Sequence, residues 1–448
     1  MKLTILPSEK GDCILIEGGG VAILADGGMP ASYQKSVRPF LGAWAAAGKP
    51  LDLVYVSHVD QDHIGGVLRL MEDLVAWRVH NFKVANGRAS RAPDYPEPPA
   101  IKRIWHNSFK ALVPENSGPI ATMLASRANA LSSMANPSAL KLAAAYRNIA
   151  ASIPEAIKVS RRIAADQLNI PLNEEFGGKL AMVRGPDTIT LKRNSRMAIK
   201  LLGPFEKDLA ILREYWNAWL KDAENSKSVA SLKKWLGDNA GPIGTAAVSL
   251  SIDDEIGHRN NVTEPNLASL MLLLEETYHG RVKRLVLTGD GHHEDVLAGL
   301  KHHGLLADGG GLHVDILKMP HHGSEHNMDR TFAKRITADH YVFCANGEHD
   351  NPDLRILEVL LDSRLGNGSD MSANAEAGRP FTIWLNCSTA FMGDEIAAKI
   401  AERKDPKELR KARAHLAKVE AMLDEASRAS NGHLTVRLLD DAPLILEV

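Results

Sequence analysis

Ser57-His58-Val59-Asp60-Gln61-Asp62-His63-Ile64-Gly65-Gly66 is the stretch on which the reading turns. It follows Leu51–Val56 (LDLVYV), an apolar run that predicts a strand buried on both faces. At the end of that strand four potential ligands, His58, Asp60, Asp62 and His63, fall within six positions. Carboxylates and imidazoles gathered at that density suit Zn²⁺ or Mn²⁺, and burying two carboxylates without a cation would be costly. A purely structural reading would have the acids cap the next helix. Gly65 and Gly66 are expected to let the backbone turn sharply away.

Upstream, KLTILP, CILIEG and VAILADGG have the β-branched and aliphatic content of strands, and Ser32 to Ala47 has a helical pattern. Asp26, in ILADGG, is placed to orient a ligand histidine. Downstream, the later half supplies further ligands at strand ends: Asp290 after LVLTGD, His321 and His322 in VDILKMPHHGS, and His349 in FCANGEHDNPD. Of the 18 histidines, 12 lie between His258 and His349. Strand ends that converge on one sheet edge are the usual place for a site in layered α/β folds. His292 and His293, at the expected start of a helix, read as capping or supporting residues.

Between these halves, from a Pro-rich stretch (RAPDYPEPPA) to about residue 245, the pattern is mostly helical, with helices expected over Ser138 to Ile170 and Leu209 to Lys234. Lys141 to Lys200 holds 11 basic and 5 acidic side chains, a local balance of +6 that either solvates a helix surface or attracts a polyanion. Strands resume with AAVSLSI, SLMLLLE, RLVLTGD, VDILKMP and HYVFCAN. A charged helix is expected from Asp394 to about Ala429; Leu409, Leu416 and Leu423 recur every seven residues, which suits packing on the parent domain or a protein partner. HLTVRLLD and PLILEV read as edge strands. The expected organisation is thus a first half over 1–85, an insertion over 86–245, a second half over 246–393 and a C-terminal segment over 394–448.

The 448 residues are 44% hydrophobic and 24% charged, which excludes a disordered or fibrous chain, and the net charge of −2 leaves any nucleic-acid binding to a local surface. Three widely spaced cysteines fit neither a disulfide framework nor a cysteine-ligated zinc site, so a reducing cytoplasm is expected. No apolar run is long enough to serve as a signal peptide or to span a bilayer, and no membrane association is expected.

In order along the chain, GDCILIE with ADGG, HVDQDHIGG, NLASLMLLLE, LTGD and KMPHHGS resemble the metallo-β-lactamase superfamily, and within it the ComEC-like branch typified by a DNA-uptake hydrolase domain. The resemblance covers residues 1 to 80 and about 246 to 390. It implies an α/β fold, a four-layer αββα sandwich, with two divalent metal ions, Zn or Mn. His58, Asp60 and His322 would hold the first ion; Asp62, His63 and His349 the second, with His326 the alternative to His349; Asp290 would bridge them. Asp60 stands where many members have histidine, and Asn266 about where many have a ligand histidine.

A hydroxide shared by two ions about 4 Å apart would attack phosphorus, with Asp60 or Asp62 accepting its proton. Asn266, Ser269, Lys318, His321 and Ser324 would bind substrate. The resemblance thus implies a phosphodiesterase or nuclease with DNA or RNA as substrate. The other readings are a hydrolase of a small ester, amide or phosphorylated molecule, or a partner-regulated subunit of a bacterial conflict (anti-phage) system.

Overall fold

Side chains that alternate along neighbouring strands build the layers. The protein is described by a computed structural model over residues 1–107, 155, 158–210, 256–440 and 442–448. Strands β1 (Lys2–Ile5), β2 (Ile14–Gly18), β3 (Val21–Ala25), β4 (Leu53–Tyr55) and β5 (Ile104–Trp105) form one sheet, joined by the C-terminal strand β13 (Leu444–Glu447) in the order β13-β1-β2-β3-β4-β5. The second sheet holds β6 (Met197–Gly203), β7 (Met271–Tyr278), β8 (Arg281–Leu287), β9 (Leu312–Lys318), β10 (Ile336–Phe343), β11 (Phe381–Leu385) and β12 (Leu434–Leu438), in reverse sequence order. β8 to β12 run parallel, as do β3, β4 and β5, so in each sheet several carboxyl ends open on one edge.

Period-two alternation sends each strand's apolar residues to two different cores. Ile14 and Ile16, Ile23 and Ala25, and Leu53 and Tyr55 meet Leu270, Leu272, Leu274 and Ile316 between the sheets. Leu15, Leu24 and Val54 point the other way, onto Leu41 of α1 (Arg38–Ala46) and Ile64, Val67 and Met71 of α2 (Gln61–Ala85). On the far side Met271, Leu273, Val286 and Leu317 pack against α3 (His293–His302), α4 (Arg330–Arg335), α5 (Leu354–Leu365), α6 (Thr389–Ala401) and α7 (Lys407–Ala429). Two facing sheets with helices outside both are the αββα arrangement. β12 and β13 are edge strands.

Several boundaries differ from expectation. Ile104–Trp105 and Met197–Gly203 lie within the expected insertion, yet they pair with β4 and β7 as strands of the sandwich. MAIKLLG alternates as an edge strand should, whereas two residues are too few to show a period. Residues 158–163 are helical, and the chain leaves the helix at residue 164, short of the expected end at Ile170. The rest of the helices expected over Ser138–Ile170 and Leu209–Lys234, and the AAVSLSI strand, fall largely or wholly outside the described residues. The C-terminal helix is two helices, because Pro406 cannot continue a helix and stands immediately before α7. Leu409, Leu416 and Leu423 are buried against the second sheet's outer core, so this heptad seam faces the parent domain.

Gly65 and Gly66 do not turn the chain. They lie inside α2, where a Cβ on Gly66 would meet the Gly27 carbonyl oxygen at 1.9 Å. The helix therefore docks backbone to backbone on the loop after β3, with Gly27 N donating to His63 O at 2.9 Å and Gly66 N to Gly28 O at 2.9 Å. That contact fixes the first turn of α2, and with it Asp62 and His63, against the sheet edge. No helix among the described residues is long and apolar enough to cross a membrane.

Candidate metal centre

β4 leads through Val56 into Ser57 and His58, and Asp60 stands at the N-cap position of α2 without making a side-chain cap hydrogen bond. The acid is therefore not spent on the helix. β8 ends two residues before Gly289-Asp290, and β9 is followed by a tight turn in which His321 and His322 both adopt the left-handed conformation, at φ 43° and 57°. Such backbone costs about 1–3 kcal/mol per residue and persists where the surroundings over-determine it.

Four imidazoles converge on Asp290. Its Oδ2 lies 3.6 Å from His58 Nε2 and 3.4 Å from both His321 Nε2 and His322 Nε2, and its Oδ1 lies 3.4 Å from His63 Nε2. The opposite ring nitrogens are all anchored. His322 Nδ1 donates to Cys344 O at 2.7 Å, His321 Nδ1 to Asn327 Oδ1 at 2.8 Å and His63 Nδ1 to Asp26 Oδ2 at 2.9 Å. Ser57 Oγ gives its hydrogen to Asp26 Oδ2 at 2.7 Å, which leaves it to accept from His58 Nδ1 at 3.0 Å. A proton fixed at Nδ1 leaves the Nε2 lone pair turned inward, the arrangement of metal-ligating histidines.

The inward atoms lack partners. His58 Nε2, His63 Nε2, His322 Nε2, Asp60 Oδ1 and Asp290 Oδ1 are buried without a hydrogen bond. Orphaned polar atoms in that number are costly unless a ligand completes them. Among the described residues three sets have ligand atoms within 4.8 Å of one another: Asp12–His63–His322, His58–His63–Asp290 and Asp290–His321–His322, the last two sharing Asp290. Nitrogen and carboxylate donors in this number fit divalent ions such as Zn²⁺ or Mn²⁺. Without an ion, protons take the place of the cation. Burial resists charging His63 and His322, yet Asp290 and the nearby acids override it, holding His63 well above its ordinary range and His322 up at about 9. Burial likewise pushes the Asp290 carboxyl up, and the charges of His322, His63, His321 and His58 outweigh it and hold the group well below the usual carboxylate range. Metal uptake should therefore release protons.

The grouping differs from the expected one. Asp60 Oδ2 sits 3.7 Å from His58 Nε2, but Asp62 Oδ2 sits 3.6 Å from His322 Nε2, so Asp62 is beside the HHGS turn. His321, expected to bind substrate, points its Nε2 at Asp290. His349 lies at the pocket mouth, exposed, with Nε2 3.4 Å from Lys10 Nζ, and belongs to none of these sets. His326 and Ser324 line the pocket; Asn266, Ser269 and Lys318 do not. Lys318 is 1% exposed, ion-paired to Asp12 and donating to Gly289 O at 3.0 Å. His292 caps α3, its Nδ1 accepting from Glu294 N at 3.4 Å, and His293 faces Asp329.

Two residues were missed by sequence reasoning. Asp12 lies 3.3 Å from His322 Nδ1 and 3.9 Å from His63 Nδ1, joining the two sheets behind the histidines. Lys10 lines the pocket. Both belong to the β1–β2 loop, whose only signal was a charged Lys-Gly-Asp leading into the apolar start of a strand. Within it Glu9 is pushed up to about 7 by burial and by the carboxylates of Glu395 and Glu348, against Lys399 and Lys10. The folded protein thus holds an extra proton between the ordinary value of 4.5 and about 7, and its stability declines as pH rises through that window. Glu9→Gln should raise the melting temperature of metal-free protein at pH 8 and leave it nearly unchanged at pH 5, by differential scanning fluorimetry. Equal shifts at the two pH values would show that Glu9 is not the titrating group.

Of the 11 basic residues in the +6 stretch, Lys192 and Lys200 pair with Asp52 and Glu275, outside it, and Arg161 pairs with Asp166 within it. Part of that charge is therefore internally offset.

Residues 8–118 match the model of the metallo-beta-lactamase superfamily. Among solved structures, the Rm3 metallo-beta-lactamase is similar at 10% identity over 95% of this chain and 94% of its own, with a TM-score of 0.22. No curated protein matches the chain. The matched segment runs through Asp12, Asp26, His58, Asp60, Asp62 and His63, and the sandwich supplies the remainder of the centre: over residues 8–118 the chain is similar to the metallo-β-lactamase superfamily, and its αββα sandwich is consistent with the metallo-β-lactamase fold.

Proposed function

We propose that this domain is a metal-dependent hydrolase of phosphodiesters, a nuclease of the ComEC-like kind. The carrying observation is the set of inward, unpartnered Nε2 atoms gathered on one carboxylate at the floor of an open pocket. Bound divalent ions would supply an activated water and positive charge for an in-line displacement at phosphorus. The chain's own residues do the rest. Asp26, Cys344 O and Asn327 hold the rings, Asp290 spans the two sets that share it, and Asp60 and Asp62, which line the pocket, accept a proton from the attacking water. Three carboxylates on the floor favour oxygen-preferring ions such as Mn²⁺ beside Zn²⁺. DNA or RNA is the proposed substrate.

The test uses metal-stripped protein with Mn²⁺ or Zn²⁺ restored, beside Asp62→Ala. Substrates are single-stranded DNA, duplex DNA, RNA and bis(p-nitrophenyl) phosphate. Metal-dependent cleavage that falls about a hundredfold or more in the variant is expected. Bound metal with no cleavage of any of the four would overturn the phosphodiesterase reading.

A further inference from the structure

We propose that Lys10, at the pocket mouth, is the anion subsite of this centre and takes a negatively charged oxygen of the substrate beside the scissile bond. The proposal rests on the phosphodiesterase reading above. Among the described residues that line the pocket, Lys10 is the one lysine or arginine. The floor is carboxylate and imidazole, and the remaining wall carries one further carboxylate, Glu348, among neutral groups such as Asn261, Thr263, Asn346 and Asn351. Lys318, the other lysine near the centre, is enclosed behind it and committed to Asp12.

The backbone fixes where Lys10 stands. Ser8 Oγ donates to Gly11 O at 2.6 Å and accepts from Asn386 Nδ2 at 2.9 Å, tying the loop to the second sheet. A Cβ on Gly11 would fall 1.8 Å from the Asp62 carbonyl oxygen, so the loop lies directly on the metal-binding turn. Lys10 is therefore held beside Asp62 by close backbone contact, and a side chain at Gly11 would lift it away.

The ammonium is also available. It has three donor hydrogens, and one faces His349 Nε2 at 3.4 Å. Because an ammonium only donates, that imidazole nitrogen accepts, and the neutral ring steadies the lysine without neutralising it. Among the described residues no carboxylate lies within ion-pair distance of Lys10. A half-buried cation on which the carboxylates of Asp62 and Glu9 act without a contact ion pair, beside a floor that would be filled by dications, favours an anion.

The test measures inorganic phosphate binding by isothermal titration calorimetry on Mn²⁺-loaded protein, with KM for bis(p-nitrophenyl) phosphate measured in parallel. Lys10→Met should weaken phosphate binding about tenfold, the loss of one charge-assisted hydrogen bond, with the metal content of wild type. Lys10→Arg should recover most of the affinity. The salt dependence of phosphate binding should be shallower in Lys10→Met, a readout that a merely structural role would not move. If the diester is not cleaved but Lys10→Met still loses phosphate, the subsite stands and the diesterase reading falls. If the diester is cleaved while Lys10→Met binds phosphate as wild type does, the subsite is overturned and the reading stands.

Discussion

Asp290→Ala is expected to abolish metal binding and activity together. One carboxylate serves both sets of histidines, through Oδ1 to His63 and Oδ2 to His58, His321 and His322. Groups that merely orient ligands are worth about 10–100-fold in metal affinity. Loss of the shared ligand should therefore exceed about a hundredfold, seen by mass-spectrometric metal analysis after dialysis and by turnover. The metal-free variant should also lose the high titration of His322, now at about 9, because Asp290 is the leading charge that raises it. Proton NMR of the imidazole resonances would follow that. A variant that kept both its metal and its turnover would remove Asp290 from the centre.

Lys318→Met carries the second large effect, and on stability more than on chemistry. Asp12 is buried, and although burial pushes its carboxyl up, Lys318, His322 and His63 hold it far below the usual carboxylate range. Removing the lysine takes away the largest of the charges that offset the buried carboxylate, a loss of about 3–5 kcal/mol for a broken buried pair. The double variant Asp12→Asn with Lys318→Met should recover much of it, because no lone charge is left behind. Asp12 also faces His322 and His63, so metal affinity should fall in the double variant even where stability returns. Urea unfolding with metal titration separates the two. Equal stability of wild type and Lys318→Met would contradict a buried pair.

The layered fold was legible because its strands are apolar in alternation and end in turn residues. β4 falls within a run read as a strand, and β7, β8, β9 and β10 each overlap one, displaced by two to four residues at an end. The histidine and aspartate cluster was legible through density at a strand end, which few structural roles require. Its internal grouping was not, because the left-handed backbone at His321 and His322 sends both rings toward Asp290, and no spacing rule encodes that. Lys318, expected to bind substrate, has a position that strand parity explains. Ile316 faces the inter-sheet core and Leu317 the helices, so Lys318 returns to the inter-sheet side and meets Asp12. Gly66 was read as a turn residue because a glycine pair after a ligand motif looks the same whether it bends the chain or admits a neighbouring backbone; only Gly27, 39 positions away, distinguishes them. The short β5 and the alternating β6 were absorbed into the insertion, since local helical composition around them outweighed two brief strands.

The most direct test of the metal centre is anomalous diffraction from crystals soaked in Mn²⁺ or Zn²⁺, collected at the metal edge. Peaks within coordination distance of Asp290, one toward His58 and His63 and one toward His321 and His322, are the predicted result. Crystals in which those side chains are ordered around Asp290 and no anomalous peak lies among them would contradict it.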